Sequence, residues 1–420
     1  MQKDRSPVCI EMYSKYIDDK IIERIQKKAK QLQDLHIVNI NSTYYGGGVA
    51  VLLTSLTMMM NQLGIKTGWR ILQGSPDFFG VTKKMHNAMQ GHDIHFTDRK
   101  IDIYESVIYE NSLRNHLDHN IVIIHDPQPL GMIKHYRKTG PWIWRCHIDL
   151  TQPNPKVWNY MKQYIEMYDA VLLSLEDYKQ DLNTPQVFFQ PAIDPFSIKN
   201  KEMTADEIQE RLDHYDIPCD LPIVAQISRF DKWKDPEGVI RAFKIARKEV
   251  DATLILLGNM ATDDPEGKEV YESLLECQEE RIIIISVQDT ALVNALQRKA
   301  AVIIQKSIRE GFGLTVTEAM WKGTPVIGGN VGGIKYQIQD GENGFLVQNE
   351  KECAERMVTL LRNPAMCDEM GRKAKERVKD NYLLSRYLEQ YLDLFSSFKP
   401  EFRLVSLDKV PAAWDKNESL

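Results

Sequence analysis

The strongest constraint on the fold is a repeated pattern of short, mostly apolar runs, each followed by a loop and then an amphipathic or charged stretch. Residues 36–40, 68–72, 121–124, 141–146, 170–174 and 187–190 form a first series. Residues 223–227, 253–257, 282–285, 301–305, 325–327 and 345–347 form a second. Runs this short and this apolar predict strands buried on both faces, with the intervening segments as helices. The chain is therefore expected to be α/β, with two Rossmann-like doubly wound domains. Their connection is expected between about 191 and 220, where Pro191 and Pro195 stiffen the backbone.

The first strand runs into Asn41 to Tyr45 and then Gly46-Gly47-Gly48, with a helix expected over 49–63 and Gly64 as its C-terminal stop. Strand, Gly-rich loop and helix make the βα unit of a doubly wound sheet. The loop is no dinucleotide fingerprint, because Val51 stands where a third Gly is needed, and no Gly-Lys-Ser/Thr follows to make a P-loop. Gly47 and Gly48 suit a close backbone approach to a ligand. Ligands of such sheets sit beyond the carboxyl ends of the strands. His125, Asp126, Arg145, His147 and Asp149 all lie at such ends, and Lys83, His86 and Asn87 lie on an expected helix over 77–90.

In the second half, Arg229 and Lys234 follow the first strand. The run Ser307-Ile308-Arg309-Glu310-Gly311-Phe312-Gly313-Leu314-Thr315-Val316-Thr317-Glu318 follows the fourth, with a helix expected over 317–322. Gly311 and Gly313 allow backbone to approach a ligand, and a helix start offers N–H groups and a positive dipole end to phosphate. The same residues also fit a plainer reading: Thr315-x-x-Glu318 as a capping box and Glu310 as a solvated loop carboxylate. A second Gly-rich loop spans 328–333, and helices are expected over 199–213, 290–299, 349–362, 365–380 and 383–397.

The net charge of −6 gives no reason to expect nucleic acid or an anionic membrane as partner. The most apolar stretch, 49–60, is too short to span a bilayer, and the N-terminus lacks a signal-peptide core. The six cysteines form no CxxC pair, so free thiols and a cytoplasmic location are expected. A homodimer is compatible with this composition.

Together, Glu310 and Glu318 with seven residues between them, Arg229, Lys234 and the Gly-rich loop of the first half resemble the retaining, nucleotide-sugar-dependent glycosyltransferases of the GT-B fold. A closer resemblance runs along nearly the whole chain. The stretches 41–50, 79–88, 125–129, 144–150 and 307–321 are similar to the trehalose glycosyltransferring synthases and trehalose phosphorylases. The resemblance implies transfer of glucose from a nucleoside diphosphate glucose to glucose, giving α,α-trehalose. Phosphorolysis of trehalose to glucose 1-phosphate is the alternative it leaves open; non-catalytic sugar-nucleotide binding is a third.

The resemblance further implies roles for individual residues. Glu310, Arg229, Lys234 and His147 are implied as catalytic. Gly47, Gly48, Gly311, Phe312, Gly313, Leu314, Thr315 and Glu318 are implied as donor-binding, with Glu318 taking the ribose hydroxyls. Asp126, Lys83 and Asn87 are the expected acceptor-side residues. No cofactor and no metal are expected: the sequence contains no Asp-x-Asp pair, and the basic groups can do a metal's work on the diphosphate. One departure is Ile334-Lys335-Tyr336 after Gly332-Gly333, where the wider family often has Pro-Glu. The expected boundaries are 1–215 for the acceptor-side domain, 216–382 for the nucleotide-sugar domain, 383–397 for a helix returning to the first, and 398–420 for a polar tail.

Overall fold

The computed structural model describes residues 8–43, 47–259 and 266–399. Tyr44 to Gly46 of the first Gly-rich loop and the polar tail from 400 lie outside the described residues. The first sheet contains β1 (His36–Asn41), β2 (Lys66–Ile71), β3 (Ile121–His125), β4 (Trp142–Arg145), β5 (Ala170–Leu173) and β6 (Gln186–Phe188). The second contains β7 (Ile223–Ile227), β8 (Thr253–Gly258), β9 (Ile282–Ser286), β10 (Val302–Gln305), β11 (Val326–Gly329) and β12 (Phe345–Val347). Every strand pairing is parallel, in the orders β2-β1-β3-β4-β5-β6 and β12-β11-β10-β7-β8-β9. β3, β4, β5, β7, β8, β10 and β11 are buried along their whole length, as a sheet covered by helices on both faces requires.

The strand orders determine where a ligand can sit. Sequential strands add outward on one side of β1 and then on the other, so the first sheet switches direction between β1 and β3. The second switches between β7 and β10. Crevices open outside the carboxyl ends of strands at such switch points. The carboxyl ends of β1, β3, β7 and β10 and the loops beyond them carry the first Gly-rich loop, His125-Asp126, Arg229 to Lys234 and Glu310 to Gly313.

The chain crosses between the halves twice, and the two crossings are pinned together. Ile193 N–H donates to Tyr382 O and Leu384 N–H donates to Ile193 O, both at 2.9 Å. The helix Leu384–Ser397 then packs on the first half: Arg24 and Lys28 reach its buried Glu389 at 2.5 and 2.8 Å, and Tyr391 meets Phe189 edge-on at 5.5 Å.

Some helix starts differ from expectation. The helix expected from 199 is Ala205–Asp213, because Thr204 and Glu207 close a reciprocal capping box. Residues 197–200 instead fold back on Asp194 through Ser197 and Asn200. Helices Asp98–Arg114, Pro236–Ala246 and Glu266–Leu275 fall in intervening segments for which the sequence reading set no bounds. All six cysteines are free, and no helix among the described residues is long and apolar enough to cross a membrane.

Candidate active site

Between the two switch points lies a cavity of about 470 Å³, lined from both halves. That is room for a small ligand. The first half contributes Asn41, Gly48, His86, Asp126 and His147; the second contributes Arg229, Lys234, Arg309, Glu310 and Gly311 to Thr315.

The loop after β7 is built to aim Lys234. Asp231 Oδ1 accepts Trp233 N–H at 2.9 Å, a single 3₁₀ turn follows over Lys232–Lys234, and Gln226 Nε2 donates to Lys234 O at 2.8 Å. Lys234 Nζ then lies 2.6 Å from Glu310 Oε2. The same oxygen accepts from Ser307 Oγ at 3.2 Å and Gln305 Nε2 at 3.4 Å. Glu310 is only 8% exposed. The reading of Glu310 as a solvated loop carboxylate is therefore wrong: three donors hold it in place.

Glycine is required in the turn that follows. A Cβ on Gly311 would come within 2.1 Å of His147 O, so only glycine lets the two halves meet there. Gly313 has φ +85 and caps the helix Leu314–Trp321, which starts three residues before the expected 317. Thr315 thus lies inside the helix, and the capping box expected of Thr315 and Glu318 does not form. The first N–H groups of this helix lack partners within it, and Leu314 and Thr315 line the cleft. Gly47 opens the helix Gly47–Gln62, and a Cβ on Gly48 would press on Leu314 Cδ1 at 2.7 Å across the cleft. Phe312 is buried and meets Tyr382 edge-on at 5.7 Å, so it packs as core beside the turn.

Glu318 is not among the cavity-lining residues and is buried. Lys199 Nζ, from the connection between the halves, approaches its Oε2 at 2.9 Å. That approach is an ion pair whose geometry is poor for a hydrogen bond, so the oxygen keeps acceptor capacity. Lys199 itself lines the cleft.

Asp126 has φ +64, a left-handed conformation uncommon outside glycine. Its Oδ1 accepts His147 N–H at 2.8 Å, and its backbone O accepts Trp144 Nε1–H at 3.1 Å. The strained residue thereby fixes His147 at the end of β4. His147 is held well below the ordinary imidazole range by burial, Arg145 and His125. Burial, then the positive charges of Lys83 and Arg229, pushes His86 down to about 3.

Lys83 and Asn87, expected on the acceptor side, are not among the cavity-lining residues. Lys83 Nζ pairs with Asp231 Oδ2 at 3.1 Å, and Asn87 Oδ1 lies 3.4 Å from Trp233 Nε1. Burial would raise the Asp231 carboxyl, but Lys83 and Arg229 hold it at about 2. These residues bridge the halves at one rim of the cleft. At the other, Tyr178 OH lies 2.9 and 2.7 Å from the carbonyls of Glu310 and Gly311. Arg309 adds a further bridge, with Nη1 at 3.0 Å from Thr151 Oγ1 and 3.5 Å from Asp149 Oδ2. Sequence reasoning missed Lys199, Arg309 and Trp233 as site neighbours. Only Arg309 and Trp233 carried a hint, since each stands inside a stretch already singled out.

The comparisons with known proteins bear on this site. Residues 39–180 match the family model described as trehalose synthase, N-terminal domain, and residues 207–377 match that of glycosyl transferases group 1. The trehalose synthase of Thermococcus litoralis is 43% identical over 399 residues, covering 93% of this chain and 97% of the relative. The chain belongs to the trehalose synthase family. Another family member, from Rubrobacter xylanophilus, is 38% identical, covering 91% of this chain and 95% of its own. A trehalose phosphorylase of Grifola frondosa is more distant, at 27% identity over 88% of this chain and 58% of its own. Among solved structures, a sucrose-phosphate synthase from Thermosynechococcus elongatus superposes with a TM-score of 0.68 at 18% identity, over 86% of this chain and all of its own. A UDP-forming trehalose-phosphate synthase from Burkholderia xenovorans superposes at 0.69 and 12% identity, again over 86% of this chain and all of its own. The fold is GT-B, and the chain is a glycosyltransferase, as the sequence led one to expect.

Proposed function

We propose that the enzyme transfers glucose from a nucleoside diphosphate glucose to free glucose, forming α,α-trehalose with the donor's configuration retained. The observation that carries this reading is the Lys234–Glu310 pair at 2.6 Å in a cleft that also presents Arg229 and a helix start. It combines a carboxylate suited to sugar hydroxyls and a cationic anomeric carbon with cations suited to a diphosphate. In the proposed step, the bond from the glucosyl C1 to the phosphate oxygen breaks as the acceptor oxygen bonds C1 from the same face. The acceptor hydroxyl gives its proton to the departing phosphate. Negative charge grows on the leaving diphosphate, where Arg229, Lys234 and the N–H groups of Leu314 and Thr315 stabilise it most at the transition state. Glu318, buried with spare acceptor capacity, is assigned the ribose hydroxyls. Neither a metal nor a cofactor is assigned a role.

The test is product analysis. Incubation with nucleoside diphosphate glucose and glucose is expected to give trehalose and nucleoside diphosphate, followed by NMR of the anomeric protons. Turnover only of trehalose with phosphate, giving glucose 1-phosphate, would replace this reading with phosphorolysis.

A further inference from the structure

Three neighbouring strands of the first sheet place Asn39, His125 and His147 in a line. Asn39 lies on β1, His125 ends β3, and His147 follows β4. Asn39 Oδ1 is 3.0 Å from His125 Nε2, and His125 Nδ1 is 3.0 Å from His147 Nε2. The Asn39 amide is oriented by its Nδ2, which reaches Gly68 O at 3.5 Å. An amide oxygen can only accept, so His125 Nε2 carries the hydrogen. A neutral His125 then offers a lone pair at Nδ1, and His147 Nε2 must donate into it. A neutral imidazole has one N–H, so His147 Nδ1 is left bare.

Independent features keep the pair neutral. Asn39 and His125 are buried, and the two rings stack at 5.3 Å and 13°. The charged groups facing the pair are Arg145 and Asp126. Arg145 is fully buried, with only Nη2 engaged, by Ser174 Oγ and Phe189 O; Nε and Nη1 have no hydrogen-bond partner among the described residues. That uncompensated cation opposes a second positive charge beside it. Asp126 spends Oδ1 on the His147 backbone. Burial and Arg145 hold His125 at about 3.

We infer that Asn39 and His125 are positioning residues that lock His147 in the Nε2–H tautomer, so that it meets the cleft with an Nδ1 lone pair. A lone pair accepts from a sugar hydroxyl and repels phosphate oxygens. On the reading of the cleft given above, this wall selects an unphosphorylated hexosyl hydroxyl, which goes beyond that reading by naming how the selection is made.

The experiment is long-range ¹H–¹⁵N NMR on ligand-free protein labelled at histidine, with His147 assigned by substitution. The wild type is expected to show His147 protonated at Nε2 and bare at Nδ1. A His147 protonated at Nδ1 overturns the proposal, whatever reaction the enzyme catalyses. Asn39→Asp supplies the contrast. A carboxylate favours a charged His125 that donates from both nitrogens, so His147 must accept at Nε2 and move its proton to Nδ1. With that flip, kcat is expected to fall about tenfold, the worth of one hydrogen bond, while nucleotide affinity stays put. A folded Asn39→Asp protein with an unmoved His147 tautomer also overturns the proposal, and if that variant does not fold, the wild-type spectrum decides.

Discussion

The two halves of the molecule are built on the same plan and meet the cleft with different chemistry. Each is a six-stranded parallel sheet with its switch point aimed at the other. At the first, Asn39, His125 and His147 are joined by hydrogen bonds rather than ion pairs, with Asn39 and His125 buried. At the second, the groups are ionic: Lys234 on Glu310, Lys83 of the first half drawn onto Asp231, and Arg229 beside them. Architecture therefore does not decide what a switch point binds. The residues at the carboxyl ends of the strands and in the loops beyond them do, and on the proposed reading neutral acceptors match sugar hydroxyls and cations a diphosphate.

The sharpest way to break this contrast is at the ionic half. Lys234→Ala and Glu310→Gln are each expected to lower kcat by about 10²–10³, the usual cost of one preorganised transition-state partner. Because their charged atoms lie 2.6 Å apart, the losses should not add: the double variant should be little worse than either single. Steady-state kinetics of all four proteins decide it. Unchanged kcat with a raised KM for Lys234→Ala would show uniform binding in place of transition-state stabilisation.

The neutral half is tested by pH. His125 has a folded-state value of about 3, against an ordinary 6.5, so the folded protein stays unprotonated there while the unfolded chain takes up the proton. The folded value is depressed, so stability is fully present above about pH 6.5 and drains as pH falls toward about 3. The slope is about 1.4 kcal/mol per pH unit for such a group, and His147, shifted in the same direction, adds to it. Thermal melts between about pH 7 and 5 are expected to show Tm falling with pH. A flat Tm would mean that the pair charges in the folded state as readily as in the unfolded chain.

Much of the fold was legible because a strand buried on both faces must be apolar throughout, and no other short element has that demand. β3, β7, β8 and β10 could be read on that ground alone. Helix starts were less legible where no side chain marks them. The helix at Leu314 is opened by Gly313 in a left-handed conformation, so Thr315 and Glu318 imitate in sequence a cap that lies two residues inside the helix. The reverse holds at Pro236, where Asp235 caps and proline follows, so side chains do mark that start. In the site, Glu310, Arg229, Lys234 and His147 each lie just past a strand end, which marks them as ligand-side residues, while their assigned roles rest on the family resemblance. Lys83 and Glu318 could not be placed. Their positions depend on Asp231 and Lys199, partners distant in sequence whose approach is set only by how the halves pack.

A smaller effect is expected from Glu318→Gln. If the buried carboxylate accepts ribose hydroxyls before and during reaction alike, its loss should weaken nucleoside diphosphate binding by about tenfold and leave kcat nearly unchanged. Lys199→Met should instead reduce stability, because it strands Glu318 as a buried charge. Calorimetric titration of nucleoside diphosphate and a melt of each variant separate the two. Should Glu310→Gln lose the nucleotide while Glu318→Gln keeps it, the assignments within the motif are inverted.

The smallest expected effect sharpens the ionic side of the comparison, because it asks whether protein cations suffice there. A divalent metal would serve the leaving diphosphate by bridging its oxygens and would need carboxylates to hold it. The carboxylates that line the cleft from this half are already committed. Glu310 is engaged by Lys234, Asp231 by Lys83 and Asp289 by Arg211, and the sequence has no Asp-x-Asp pair. Arg229, Lys234 and the helix start at Leu314 line the cleft, and the proposed step would develop the charge of the diphosphate beside them. Excess chelator is therefore expected to leave kcat/KM for nucleoside diphosphate glucose unchanged within about twofold, a barrier change of well under 1 kcal/mol. The assay should be run at constant ionic strength, because added salt screens the same cations. Loss of most activity on chelation, restored by Mg²⁺ or Mn²⁺, would mean that Arg229 and Lys234 do not carry the leaving-group charge alone, and that the contrast between a neutral and an ionic wall omits a third party.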